Sequence, residues 1–207
     1  MTTPAELSIN PSEELITRLI DVLTDDILPL TEKAVLQGNK VFGAALLRKS
    51  DYSTYLAETN NEVESPLHHG EMHLLKRFFE ISESQREPAS QLIFLSTHEP
   101  CSMCLSAITW SGFDNFYYFF SHEDSRDEFD IPHDLRILQE VFRLEPGEYR
   151  KHNAFWQSHG IVSWINNRPP GPQQASLNSK INAVKARYAI ASAHYQAGKQ
   201  QNSIPLD

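Results

Sequence analysis

Cysteine is almost missing from this chain: two residues in 207, Cys101 and Cys104. Thiol chemistry is therefore confined to one C-x-x-C pair, and with no export signal that usage points to a reducing, cytoplasmic setting. An excess of positive charge is missing too. The formal net charge is −9, whereas binding to structured nucleic acid rests on phosphate neutralisation by a basic face. The balance argues against nucleic acid and for a small, uncharged substrate. No apolar run approaches a membrane span, so no membrane partner is expected. Met1–Asn10 is polar and lacks the apolar stretch of a signal peptide. Internal repeats and low-complexity tracts are absent. What is present is an ordinary globular composition, 40% hydrophobic and 22% charged, long enough to bury a sizeable core in one domain.

Hydrophobic periodicity gives the order of elements. Asn10-Pro11-Ser12-Glu13 reads as a helix start, with Asn10 as cap. Leu15, Leu19, Val22 and Leu23 then recur at helical spacing, Pro29 kinks or restarts the helix, and Gly38 ends it. Val41–Leu47 is a short buried strand and Thr54–Glu58 its antiparallel partner. The Asn60–Leu67 loop leads into a helix over His69–Ile81 with Met72, Leu75 and Phe79 facing inward. Gln91–Ser96 is a strand, Cys101–Trp110 a helix, and Asn115–Phe120 a central strand buried on both faces. Residues 122–130 read as a charged loop, Leu135–Phe142 as a helix and Ile161–Ile165 as a short strand. Asn167–Pro172 breaks regular structure before a final helix over Leu177–Tyr195 with Ile181, Val184, Tyr188 and Ala191 on one stripe. This order implies an α/β sandwich around one sheet.

Two motifs carry chemistry: His69-Gly70-Glu71, and Pro100-Cys101-Ser102-Met103-Cys104 about thirty residues later. Cysteines two residues apart at a helix start present both sulfurs to one ion, and the helix dipole and a metal both lower thiol pKa values. Pro100 suits the residue before such a helix. His69 supplies a third ligand from a second helix start. Three protein ligands leave a fourth tetrahedral position for water, the catalytic arrangement of zinc. Glu71, two residues on, is close to the metal without being forced onto it and is the candidate general base. Other readings of the same residues exist. A lone C-x-x-C occurs in redox pairs. A structural zinc would recruit His68, His73 or His98 as fourth ligand.

H-x-E combined with P-C-x-x-C is the signature of zinc deaminases, and the chain resembles the cytidine deaminase-like superfamily over roughly residues 30–130. The resemblance includes Phe42-Gly43-Ala44, Asn60, Pro66, Glu99 to Cys104, and Ala107-Ile108 with Trp110. It is nearest the branch of guanine deaminases and tRNA adenosine deaminases. It implies a three-layer α/β/α sandwich with a mixed five-stranded sheet, a zinc cofactor, a homodimer, and hydrolytic deamination of a nucleobase or nucleoside of guanine or cytosine type. It also implies substrate contacts: Asn60 to the base or sugar, with Asn61 as fallback; Phe42 and Ala44 lining the pocket; Gly70 and Pro100 beside the metal; and Asp130, after Phe129, accepting from a purine amine or ring N–H. Gly70 departs from the motif's commoner alanine, which pulls the substrate toward cytosine. The catalytic domain is expected over residues 1–165, with 166–207 a linker and C-terminal helical extension. Two competing functions follow. A deaminase of tRNA or single-stranded nucleic acid would use Lys76, Arg77, Arg126 and Arg136 in a basic channel. A non-enzymatic zinc-stabilised interaction module would have four protein ligands.

Overall fold

A computed structural model describes residues 11–145 and 148–206. The expectations resting on Asn10 and on the Met1–Asn10 stretch lie outside the described residues. The first helix, α1 (Glu13–Val22), is capped by Ser12, whose side chain accepts from the Leu15 N–H at 3.1 Å. A π-turn, Leu23–Ile27, joins it to α2 (Leu28–Val35), where the Leu28 N–H reaches back to the Leu23 carbonyl. Pro29 explains the widening. Its ring has no N–H and clashes with the carbonyl four residues earlier, so the chain opens by one residue and continues.

Five strands form one mixed sheet: β1 (Gly43–Arg48), β2 (Thr54–Thr59), β3 (Leu92–His98), β4 (Asn115–Phe120) and β5 (Gln157–Gly160), in the order β2-β1-β3-β4-β5. β1 is antiparallel to β2 and β3, while β3, β4 and β5 run parallel. Period-two alternation divides the core. Ala45, Leu47, Ile93, Leu95, Tyr117 and Phe119 meet α1, α2, α7 (Ile161–Asn166) and α8 (Pro172–Gly198) on one face. Ala44, Leu46, Leu92, Phe94 and Phe116 meet α3 (Gly70–Glu80) and α4 (Ser102–Trp110) on the other. The result is the expected three-layer sandwich, and the final helix packs into its larger core through Ile181, Val184, Tyr188 and Ala191.

Four local expectations need correction. Residues 122–130 are not all loop: α5 (His122–Asp127) is nucleated by a capping box between Ser121 and Asp124. Ile161–Ile165 lies in α7 and the strand is the preceding 157–160, because Ile161 and Ile165, four apart, bury together on one helical face. In α3 the inward residues are Leu74, Leu75 and Phe78, whereas Phe79 is exposed. Glu71 must face inward at the helix start, and that sets the rotation of the whole helix. β1 begins at Gly43, with Val41 and Phe42 buried ahead of it.

Candidate metal centre and active site

Two helix starts meet at the ends of the sheet strands. His69 is the N-cap residue of α3, and Cys101 that of α4, directly after β3 and the Glu99-Pro100 turn. His69 Nδ1 lies 3.6 Å from Cys101 Sγ and 3.8 Å from Cys104 Sγ. A tetrahedral zinc with ordinary Zn–S and Zn–N bonds needs S···N edges of about 3.6 Å, so the donor set fits. All three donor atoms lie within 4.8 Å of one another, and among the described residues no other His, Cys, Asp or Glu joins them in such a group. His73 Nδ1 instead sits 2.9 Å from the Thr59 carbonyl. His68 stacks on His73. His98 is enclosed by Phe42, Phe120, Phe129 and Tyr188. No histidine supplies the fourth ligand of a structural site, and both cysteines are free thiols.

The three donors are electrostatically coupled. Burial pulls the His69 pKa down, but the Cys101 sulfur, with Glu71 and Glu62 beyond it, raises it to about 9. Cys101 is lowered, by the Cys104 thiol hydrogen bond first and then by His69. Cys104 is raised, chiefly by burial.

Glu71 is buried in the first turn of α3. Its Oε2 lies 3.4 Å from Cys104 Sγ and its Oε1 2.7 Å from the Ser96 hydroxyl, which is also 2.6 Å from the His98 carbonyl. Burial and the Cys101 thiolate push the carboxyl pKa upward. The Ser96 proton serves whichever partner needs it: Glu71 when ionised, the His98 carbonyl when Glu71 carries its own proton. Ser96 carries no motif signal, and sequence reasoning missed it.

A cavity of about 270 Å³ opens over His69 and Cys101, walled by Phe42, Glu62, Ile131, Asp134 and Ile137 and by the chain end at Pro205-Leu206. Of the expected substrate contacts, Phe42 lines it. Asn60 does not: its Nδ2 donates to Glu62 Oε2 at 2.6 Å and its Oδ1 accepts from the Gly70 N–H at 2.5 Å. Ala44 faces the opposite core. Gly70 is packed against Gly43, so its missing side chain answers to helix–strand spacing and not to the choice of base. Pro100 is buried, and its carbonyl lies 3.2 Å from His122 Nε2. Asp130 is exposed with φ +57, and the carboxylates that line the cavity are Glu62 and Asp134, the latter in the first turn of α6 (His133–Phe142). Desolvation, then the Cys101 thiolate, raises Asp134 to about 8. Pro132 just ahead of it marks a helix start, the one signal that could have singled it out.

Glu99 anchors the turn before Cys101. Burial opposes its ionisation, but His122 and Lys151 outweigh that and hold its pKa down. It accepts from Tyr149 Oη at 2.7 Å, from Lys151 Nζ and from the His122 N–H at 3.2 Å, tying the 149–151 segment to the metal loop. Three of the four basic residues of the expected channel are engaged in ion pairs. Lys76 and Arg77 pair with Glu80, and Arg126 with Asp127.

The mixed five-stranded sheet thus carries a His-Cys-Cys cluster at two helix starts. Residues 22–120 match the model of the cytidine and deoxycytidylate deaminase zinc-binding region. That match spans 99 of the 207 residues, a little under half of the chain. Among solved structures it is similar to the protein NE0047 in complex with 2,6-diaminopurine, at 14% identity and a TM-score of 0.51, covering 86% of this chain and 82% of that one. The guanine deaminase from Bacillus subtilis is 18% identical, with a TM-score of 0.49, 74% of this chain and 98% of that one. A tRNA:A34 deaminase is 18% identical, with a TM-score of 0.47, 76% of this chain and 99% of that one. At such identities the likeness is one of fold. No curated protein sequence matches the chain. No described helix is long and apolar enough to cross a membrane.

Proposed function

We propose that the protein is a zinc-dependent aminohydrolase that deaminates a small nucleobase or nucleoside, with guanine ahead of cytosine. The observation that carries this reading is the placement of Glu71, buried between Ser96 and Cys104 at the edge of a three-donor metal cluster. Zinc bound by His69, Cys101 and Cys104 supplies a Lewis acid that acidifies water. Glu71 takes one water proton and hands it to a ring nitrogen; it then takes the remaining proton from the hydroxyl now on the attacked carbon and passes it to the amine, which leaves as ammonia. Its upward-shifted pKa suits both duties. The balance is water for ammonia: a C–O bond forms, the C–N bond breaks, and the carboxylate ends as it began.

The cavity supports the substrate class. About 270 Å³ is at the small end of ligand pockets, which run from roughly 300 Å³ upward. Phe42, Ile131 and Ile137 offer apolar faces for a ring, and Asp134 faces its polar edge. A carboxyl group there suits the amine and ring N–H donors of guanine better than the single exocyclic amine of cytosine. We also propose a homodimer, since Leu67, Phe79 and Trp110 stand exposed along one groove between α3 and α4. A monomer in sedimentation at micromolar concentration would exclude that arrangement.

The test is ammonia release across guanine, cytosine, adenine and their nucleosides, with a chelator control. Glu71→Gln is expected to abolish turnover while zinc stays bound. Ammonia release surviving in that variant would defeat the mechanism.

A further inference from the structure

Next to the metal cluster lies a charged pair that the fold alone does not require. Lys40, just before β1, and Glu62, in the loop before α3, are both buried and meet at 3.0 Å. Removing two charges from water is expensive, and a buried pair of this kind is on average no more stabilising than apolar residues of the same size. Its location supplies a reason. His69 presents Nδ1 to both sulfurs, so Nε2 is the nitrogen left to carry the ring proton when Nδ1 binds a cation. Glu62 Oε1 faces that Nε2 at 3.7 Å, a spacing for charge attraction rather than a direct hydrogen bond.

The carboxylate is held from two sides. Lys40 Nζ takes Oε1, and Asn60 Nδ2 takes Oε2 at 2.6 Å. Asn60 in turn accepts from the Gly70 N–H, the residue directly after the histidine. Glu62, the ligand and the first residue of α3 are therefore one connected unit.

We infer that Glu62, clamped by Lys40 and Asn60, is the positioning residue for His69, fixing the ring with Nδ1 toward the metal and Nε2 protonated. Carboxylates behind metal-binding histidines do this generally, and losing one weakens metal affinity by about 10–100-fold. Asn60 then braces that carboxylate instead of reading the base. The inference rests on the zinc site and not on which base is deaminated, so a failed ammonia screen would leave it standing.

The test is zinc affinity by chelator competition on the full chain, together with ¹H–¹⁵N imidazole spectra of the zinc-loaded protein. Glu62→Gln is expected to bind zinc about 10–100-fold more weakly and to shift the His69 Nε2–H resonance upfield. Lys40→Met/Glu62→Gln removes both charges and leaves neither buried alone, so it tests the same point should the single variant fold poorly. Its zinc affinity is expected to fall by a similar factor, with the same change in the ring spectrum. If either folded variant binds zinc within twofold of the parent and keeps the His69 resonance in place, the pair is only a brace and the inference is overturned.

Discussion

Replacing Gly70 with alanine tests whether the spacing between α3 and β1 sets the metal site. A β-carbon there would lie 2.6 Å from Gly43 Cα and 2.8 Å from Gly43 N, both backbone atoms that cannot swing aside. Carbon contacts settle at about 3.5–4.0 Å, so the start of α3 must move by roughly 1 Å. β1 has little room to yield, because a β-carbon on Gly43 would already sit 2.5 Å from Ile27 Cγ2. Overpacking of this kind costs about 1–3 kcal/mol. Alanine's better helix propensity returns up to about 1 kcal/mol. A net loss of about 1–2 kcal/mol corresponds to a fall in Tm of roughly 2–8 °C in a chain this long. The catalytic loss should exceed the stability loss. α3 begins with His69 and Glu71, and a displacement of about 1 Å at a reacting group is worth on the order of 100-fold in rate. Calorimetry with saturating zinc, paired with ammonia-release kinetics, reads both effects. A variant that melts with the parent and turns over within twofold of it would show that the two glycines do not hold this helix in place.

Zinc affinity should tighten steeply with rising pH: below about 9 a metal must displace the His69 proton, and it must displace the raised Cys104 thiol proton as well. Two protons released give up to about 100-fold per pH unit. Calorimetric titrations in buffers of different ionisation enthalpy count those protons, and a flat profile would contradict the assignment. His98 is held neutral, its pKa depressed to about 3 by burial. The unfolded chain therefore binds the extra proton, and stability is lost as pH falls from 6.5 toward 3, by about 2 kcal/mol at pH 5. Urea unfolding at pH 7 and pH 5 should show that slope in the parent and a flatter one in His98→Phe; equal slopes would refute it. With its pKa raised to about 8, Asp134 is largely a neutral carboxyl at neutral pH, so Asp134→Asn should cut kcat/KM there by about 3–10-fold, the worth of a neutral hydrogen bond, while Asp130→Asn changes it less than twofold. The reverse pattern would restore Asp130 as the reader of the base.

The sheet and the metal ligands were legible in the sequence because each rests on local rules. The aromatic run from Phe116 to Phe120 is buried on both faces of β4, and Pro100 to Cys104 turns a strand into a helix start. The cavity wall was far less legible. Asp134 and Pro205 come from segments distant in the chain, and nothing local marks them as neighbours of His69. The hydrogen bonds of Asn60 were not legible for a related reason. Whether an amide points at a ligand or at a neighbouring carboxylate depends on Glu62, and Glu62 is buried only because Lys40 arrives from another element. α5 is a different case: its capping box stands in plain view at Ser121 and Asp124, and the density of charge obscured it.

Pro205 and Leu206 wall the cavity while the donors sit at the starts of α3 and α4, so one part of that wall is encoded far along the chain from the grip on the cation. Under the proposed function, substitutions at Pro205 and Leu206 would reshape that part of the wall without touching the metal donors.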